Sequence, residues 1–176
     1  MKIIALFRGI NVGGRNILPM KSLVEILEGL GYNNIQTYIQ SGNVVFQSET
    51  EITTKKSNLI QNAIEKLHGF KPQVLFINSD ELNEAIKNNT FNTEVGKILH
   101  FSFLERSPEA VDYVKLNELK AKTEEYKLQG KVFYLYAPDG IGRSKLAVKV
   151  EKILGVSATG RNWNTIMKLA QMISDN

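Results

Sequence analysis

The chain contains no cysteine, which excludes disulfide staples, thiolate metal centres and cysteine nucleophiles together. Long apolar runs are missing as well. No segment approaches the roughly 20 apolar residues of a membrane-spanning helix, and the opening MKIIALFRG lacks the longer apolar region and small-residue cleavage site of a secretory signal. No membrane partner and a cytoplasmic location are therefore the expectations. Nucleotide-binding fingerprints are absent too: GINVGG does not have GxGxxG spacing, and no GxxxxGK followed by Ser or Thr occurs. Histidine is scarce, with two copies, His68 at a helix end and His100 within a strand of the other half. No complete catalytic set assembles, and no cofactor or metal is expected.

What is present is the composition of a folded protein. The chain has 176 residues, 43% of them hydrophobic and 23% charged, enough for one sizeable core or for two small halves. Its net charge of +4 is mildly basic, and Lys and Glu alternate through the helical segments instead of forming a basic block. That balance permits nucleic acid as a partner without demanding it.

Periodicity predicts a strand over 2–8, then a helix opened by Pro19 and carrying Met20, Leu23, Val24, Leu27 and Leu30. Two strands over 35–40 and 43–47 follow, joined at Ser41 and Gly42. A helix with Leu59, Ile60, Ala63, Ile64 and Leu67 and a strand over 73–77 complete a βαββαβ order. Ser79 can cap a short helix bearing Leu82, Ala85 and Ile86, and 88–97 is a polar connection. Beyond it the order recurs. A strand spans 98–104, Ser107 and Pro108 open a helix with Ala110, Val111 and Val114, and a hairpin turns at Gln129 and Gly130. A helix closed by Gly155, a short strand over 156–159 and a last helix with Ile166, Leu169, Ala170 and Ile173 follow.

Two copies of βαββαβ imply an α+β protein of two ferredoxin-like units in tandem, each a four-stranded antiparallel sheet with two helices on one face. The expected organisation is a first unit over 1–78, a linker helix and loop over 79–97, and a second unit with a C-terminal helix over 98–176. Ile3 to Phe7 and Val74 to Ile77 are apolar on both faces, so the second face of each sheet must also be covered.

This topology gathers polar loops at sheet rims. In the first half RGINVGGRN should meet the hairpin near Gly42, collecting Arg8, Asn11, Arg15, Ser41 and Asn43. In the second half GRSK should lie beside TGRNWNT, collecting Arg143, Lys145, Arg161, Asn162 and Asn164. Exposed N–H groups beside guanidinium groups attract phosphate or carboxylate. Ordinary turn and cap chemistry accounts for each loop taken singly. Asp139, beside GRSK, is the one acidic candidate for a metal ligand or general base. An RNA-recognition motif shares the strand order, but the basic-Gly-aromatic element expected on its third strand is missing from SGNVVFQS.

RGINVGGRN, QSGNVVF and ATGRNWNT, with GRSK between, resemble the motifs of a bacterial family of uncharacterised proteins, domain of unknown function sixteen-ninety-seven, over the whole chain. The resemblance implies a duplicated ferredoxin-like fold in a cytosolic bacterial protein and no established activity. The family more often has Lys where Arg15 stands and a bulkier residue where Gly160 stands. Three functions stay open: a binding protein for a small anionic, phosphate-bearing ligand or nucleic-acid phosphate; an enzyme acting on a phosphorylated or acyl substrate; and a structural or assembly module.

Overall fold

A computed structural model describes residues 1–175, and their strands form two four-stranded antiparallel sheets, ordered β2-β3-β1-β4 and β6-β7-β5-β8. The first part of the chain runs β1 (Lys2–Arg8), α1 (Met20–Gly29), β2 (Asn33–Tyr38), β3 (Asn43–Gln47), α2 (Thr54–His68), β4 (Gln73–Asn78) and α3 (Ser79–Lys87). The second runs β5 (Leu99–Leu104), α4 (Tyr113–Leu119), β6 (Glu125–Gln129), β7 (Val132–Tyr136), α5 (Lys145–Leu154), β8 (Ala158–Asn162) and α6 (Trp163–Ser174). Each half is therefore a ferredoxin-like βαββαβ unit. The compact units are Met1–Asn83 with the chain from Lys168 onward, and Glu84–Met167, so the divisions fall inside α3 and inside α6.

In the first unit β1 is central, pairing antiparallel with β3 and with β4, and Ile3 to Phe7 are buried on both faces of the sheet. Ile3, Ala5 and Phe7 join Leu23 and Leu27 of α1, Ile60 and Ile64 of α2, and Val44 and Phe46 of β3 in one core. Each such buried aliphatic contributes about 1.5–3 kcal/mol relative to exposure. Ile4, Leu6, Val45 and Ile77 occupy the opposite face and are buried too. Lys2 shares that face, and its Nζ donates to the Ile173 carbonyl of α6. α6 thus reaches the second face of this sheet.

The helix ends follow local chemistry. Thr53 Oγ1 accepts from Lys56 N at the start of α2, and Gly69 closes that helix in the left-handed conformation. Ser144 and Gly155 do the same for α5. In the second unit Leu104, Phe133, Leu135, Leu146, Val150 and Leu154 form the core beneath α4 and α5. On the other face Phe101 packs against Tyr134 and Trp163, with ring centroids 4.7 and 5.6 Å apart, and the Tyr134 hydroxyl donates to the Ala85 carbonyl at 2.9 Å. Burial of that hydroxyl pushes its pKa up to about 12.

Three elements differ from expectation. β2 lies two residues earlier than the pattern suggests, over Asn33–Tyr38 with an irregularity between Asn33 and Gln36. α4 begins at Tyr113, not at Pro108, because Asp112 supplies the cap, its Oδ1 accepting from Lys115 N at 2.9 Å. The last strand is Ala158–Asn162: a Gly-Arg-Asn run reads as a turn by composition, yet β5 offers it a free edge and pairs Gly160 with Ser102, Arg161 with Phe101 and Asn162 with His100.

Gly42 joins the first sheet to its polar rim. Its φ is +76°, and a Cβ there would meet Phe7 Cβ at 2.6 Å and Ile10 Cδ1 at 2.7 Å. Gly42→Ala should destabilise the protein by about 2–4 kcal/mol, combining overpacking with left-handed backbone strain. A lowered urea midpoint at unchanged m-value measures this, and an unchanged midpoint contradicts it.

Candidate functional site

The segment after β1 is a miniature hairpin. Arg15 N donates to Val12 O at 3.0 Å and Asn11 N to Asn16 O at 3.1 Å, while Gly13 and Gly14 have φ of +57° and +73°. Two consecutive left-handed residues make a type I′ turn, which a Gly-Gly pair adopts without strain. Asn11 and Asn16 are themselves left-handed, at +54° and +51°, a conformation asparagine tolerates better than most residues.

Side-chain amides brace this hairpin. Asn11 Oδ1 accepts from Leu18 N at 2.8 Å, while Asn11 Nδ2 donates to Leu18 O and to Gln40 O, both at 2.9 Å. Asn16 Nδ2 donates to Gly9 O at 2.8 Å. On the β2–β3 side Phe7 N donates to Gly42 O at 2.8 Å. Asn43, fully buried, donates through Nδ2 to Tyr38 O at 3.1 Å and Ser41 Oγ at 2.9 Å. The loops over 8–16 and 40–43 therefore meet, and Asn11, Ser41 and Asn43 are engaged in joining or shaping them. Arg8 and Arg15 are exposed at this rim. Val12, Ile17 and Ile39 are exposed at 67%, 54% and 52%.

Ile39 has φ +51°, an outlier for a β-branched residue. It flanks Gln40, whose carbonyl receives Asn11. Nothing in the letters around Ile39 signals a left-handed backbone.

At the rim of the second sheet β7 and β8 both pair antiparallel with β5, so they run in the same direction and end at the same edge. Here the expected residues divide. Arg143 and Lys145 are exposed on either side of Ser144, the cap whose Oγ accepts from Ala147 N at 3.0 Å. Arg161 instead belongs to β8, and its Nη1 donates to Gly160 O at 2.8 Å. Burial lowers its pKa to about 10. Asn162 Oδ1 accepts from Thr165 N at 3.0 Å, and Asn164 packs so closely on Gly96 that no Cβ fits there. Trp163 packs on Phe101.

The acid–base candidates are structurally engaged. Asp139 Oδ2 accepts from Thr123 Oγ1 at 2.6 Å, and His68 Nε2 lies 2.7 Å from Ser22 Oγ. Among the described residues no three His, Asp or Glu side chains converge to hold a metal ion. His100 is different. Its Nε2 is buried without a hydrogen-bond partner. Desolvation lowers its pKa, opposed by a backbone hydrogen bond at Lys97.

The family model described as "Protein of unknown function (DUF1697)" matches residues 1–134. The chain belongs to this family. The conserved bacterial protein SP0830 from Streptococcus pneumoniae shares the fold, at 23% identity and a TM-score of 0.73 over 98% of each chain. No curated protein matches. Among the described residues of this DUF1697 chain no helix is long and apolar enough to cross a membrane.

Two outcomes follow. Asn11→Ala should cost about 2–3 kcal/mol, because it leaves the N–H and carbonyl of buried Leu18 without partners; chemical denaturation reads it, and a change within about 0.5 kcal/mol contradicts the bracing role. Because folding lowers the His100 pKa, the unfolded chain takes up that proton first as pH falls. Stability from a neutral His100 is thus fully present above about pH 6.5 and is lost as pH falls toward the folded value. Denaturation midpoints of wild type and His100→Asn between about pH 7.5 and 5.5 should diverge, with wild type losing more. Parallel curves contradict this.

Proposed function

We propose that this protein binds an anionic ligand through the hairpin of the first rim, with a phosphate group, carried by a small molecule or by nucleic acid, as the recognised chemistry. The reading rests on one observation. The hairpin uses the N–H groups of Asn11 and Arg15 internally, whereas Gly13 and Gly14 at its turn are exposed and, among the described residues, their N–H groups make no backbone hydrogen bond. Arg15 stands beside them, exposed and, among the described residues, without an ion pair.

The local electrostatics favour an anion. No Asp or Glu occurs before Glu25, and none lies between Glu28 and Glu49, so neither contributing loop carries a carboxylate beside Arg15. Backbone N–H groups set by a closed turn lose little conformational entropy when a ligand arrives, and Arg15 adds charge beside them. Asn11, Ser41 and Asn43 take part as the frame of this site.

The second rim supports a structural reading. Arg161 bonded to a backbone carbonyl, Asn162 as a cap and Asn164 against Gly96 are what a fold-supporting motif requires. Only Arg143 and Lys145, at the start of α5, remain there as candidates for contact with an anion.

Inorganic pyrophosphate and a short DNA duplex, titrated separately into isotope-labelled protein, test the proposal. The Gly13, Gly14 and Arg15 amide resonances should shift, and Arg15→Gln should weaken binding by about tenfold, the scale of one charge-assisted hydrogen bond. Shifts confined to other regions, or affinity unchanged in Arg15→Gln, would overturn it.

A further inference from the structure

A cleft between α4 and α5 of the second unit is lined by Asp112, Lys115, Leu119, Lys149, Lys152 and Ile153. Leu119 and Ile153 give it apolar surface, and three lysines give it positive charge. The single carboxylate is committed, since Asp112 Oδ1 caps α4 through Lys115 N. Among the described residues Lys115, Lys149 and Lys152 make no ion pair. Glu151, the acidic residue of α5, accepts from Ala158 N through Oε1 at 2.6 Å.

Apolar surface extends along both helices. Val148 and Val114 are 74% and 70% exposed, the most exposed large apolar side chains among the described residues. Val148 lies one turn before Lys152 on the same face of α5, whereas Val114, next to Lys115 in sequence, lies about 100° away around α4. Neither valine contributes to the core, and valine is a poorer helix former than the polar residues a solvated face ordinarily carries.

We propose that this cleft docks an acidic amphipathic helix of a partner protein, whose apolar side chains rest on Leu119 and Ile153 and extend along α5 toward Val148 while its carboxylates face Lys115, Lys149 and Lys152. Charge complementarity selects the partner. A nucleic-acid backbone would use the three ammonium groups but would bury its phosphates against Leu119 and Ile153, at a desolvation cost. An acidic helix satisfies both surfaces with one repeat, its apolar residues at i, i+3, i+4 and i+7 and its carboxylates on the flanks. This surface lies outside the first-rim hairpin and is independent of the anion-binding reading.

The test uses the full chain and a labelled, designed amphipathic peptide of about 16 residues, long enough for four helical turns, with Leu at the helical spacing and Glu elsewhere. Fluorescence anisotropy should show saturable binding. The Lys149→Glu/Lys152→Glu double variant should weaken it by at least tenfold and Val148→Ser about threefold, with melting temperatures close to wild type confirming intact folding. Arg15→Gln should leave peptide binding unchanged, which separates failure here from failure of the first-rim site. Replacing the peptide's Leu by Ser, or its Glu by Lys, should abolish binding. The proposal is overturned if the double variant binds as wild type does, if the Leu-free peptide binds equally well, or if a DNA duplex binds more tightly with the same sensitivity to the lysine changes.

Discussion

The Asn11 side chain carries the constraint on which the first rim depends. One amide bonds three backbone groups, the N–H and carbonyl of Leu18 and the carbonyl of Gln40, and so ties the hairpin after β1 both to the start of α1 and to the β2–β3 connection. A chain segment with this much glycine and asparagine would otherwise carry a large conformational entropy. Gly42, accommodated against Phe7 and Ile10, supplies the close approach that lets the two loops meet. The hairpin is thereby tied down at its base, and Gly13, Gly14 and Arg15 stand exposed at its tip.

The second rim shows the same residue types used differently. Arg161 and Asn162 lie in β8, where the ladder to β5 fixes their backbone, and their side chains bond to a carbonyl and to a helix N–H. Arginine and asparagine beside glycine are therefore used in two ways in this fold, exposed on a turn at the first rim and bonded into a strand and a helix start at the second. That distinction separates the two rims more sharply than composition does.

Much of the architecture was legible because hydrophobic periodicity and punctuation agreed. Leu23 and Leu27, Ile60 and Ile64, and Leu146 and Val150 recur at helical spacing and are buried, and Gly69 and Gly155 stop their helices as left-handed caps. The two-sided apolar strands also announced that both faces of each sheet would be covered, as Lys2 on α6 and Tyr134 on α3 illustrate. What escaped the sequence was decided by tertiary partners. Gly160 to Asn162 extend β8 because β5 presents an open edge, and left-handed Ile39 precedes Gln40, whose carbonyl accepts from Asn11; the late start of α4 is local, Asp112 and not Ser107 being its cap. The meeting of the first-rim loops followed from topology alone, whereas the bracing by Asn11, the isolation of His100 Nε2 and the lysine-lined cleft required coordinates.

The central claim is that the hairpin over 11–16 is held rigid before any ligand binds. Amide relaxation of Gly13 and Gly14 in the unliganded protein tests it most directly. Order parameters of about 0.85, those of regular secondary structure, are the predicted result, and values below about 0.6 would show a flexible loop and contradict the account.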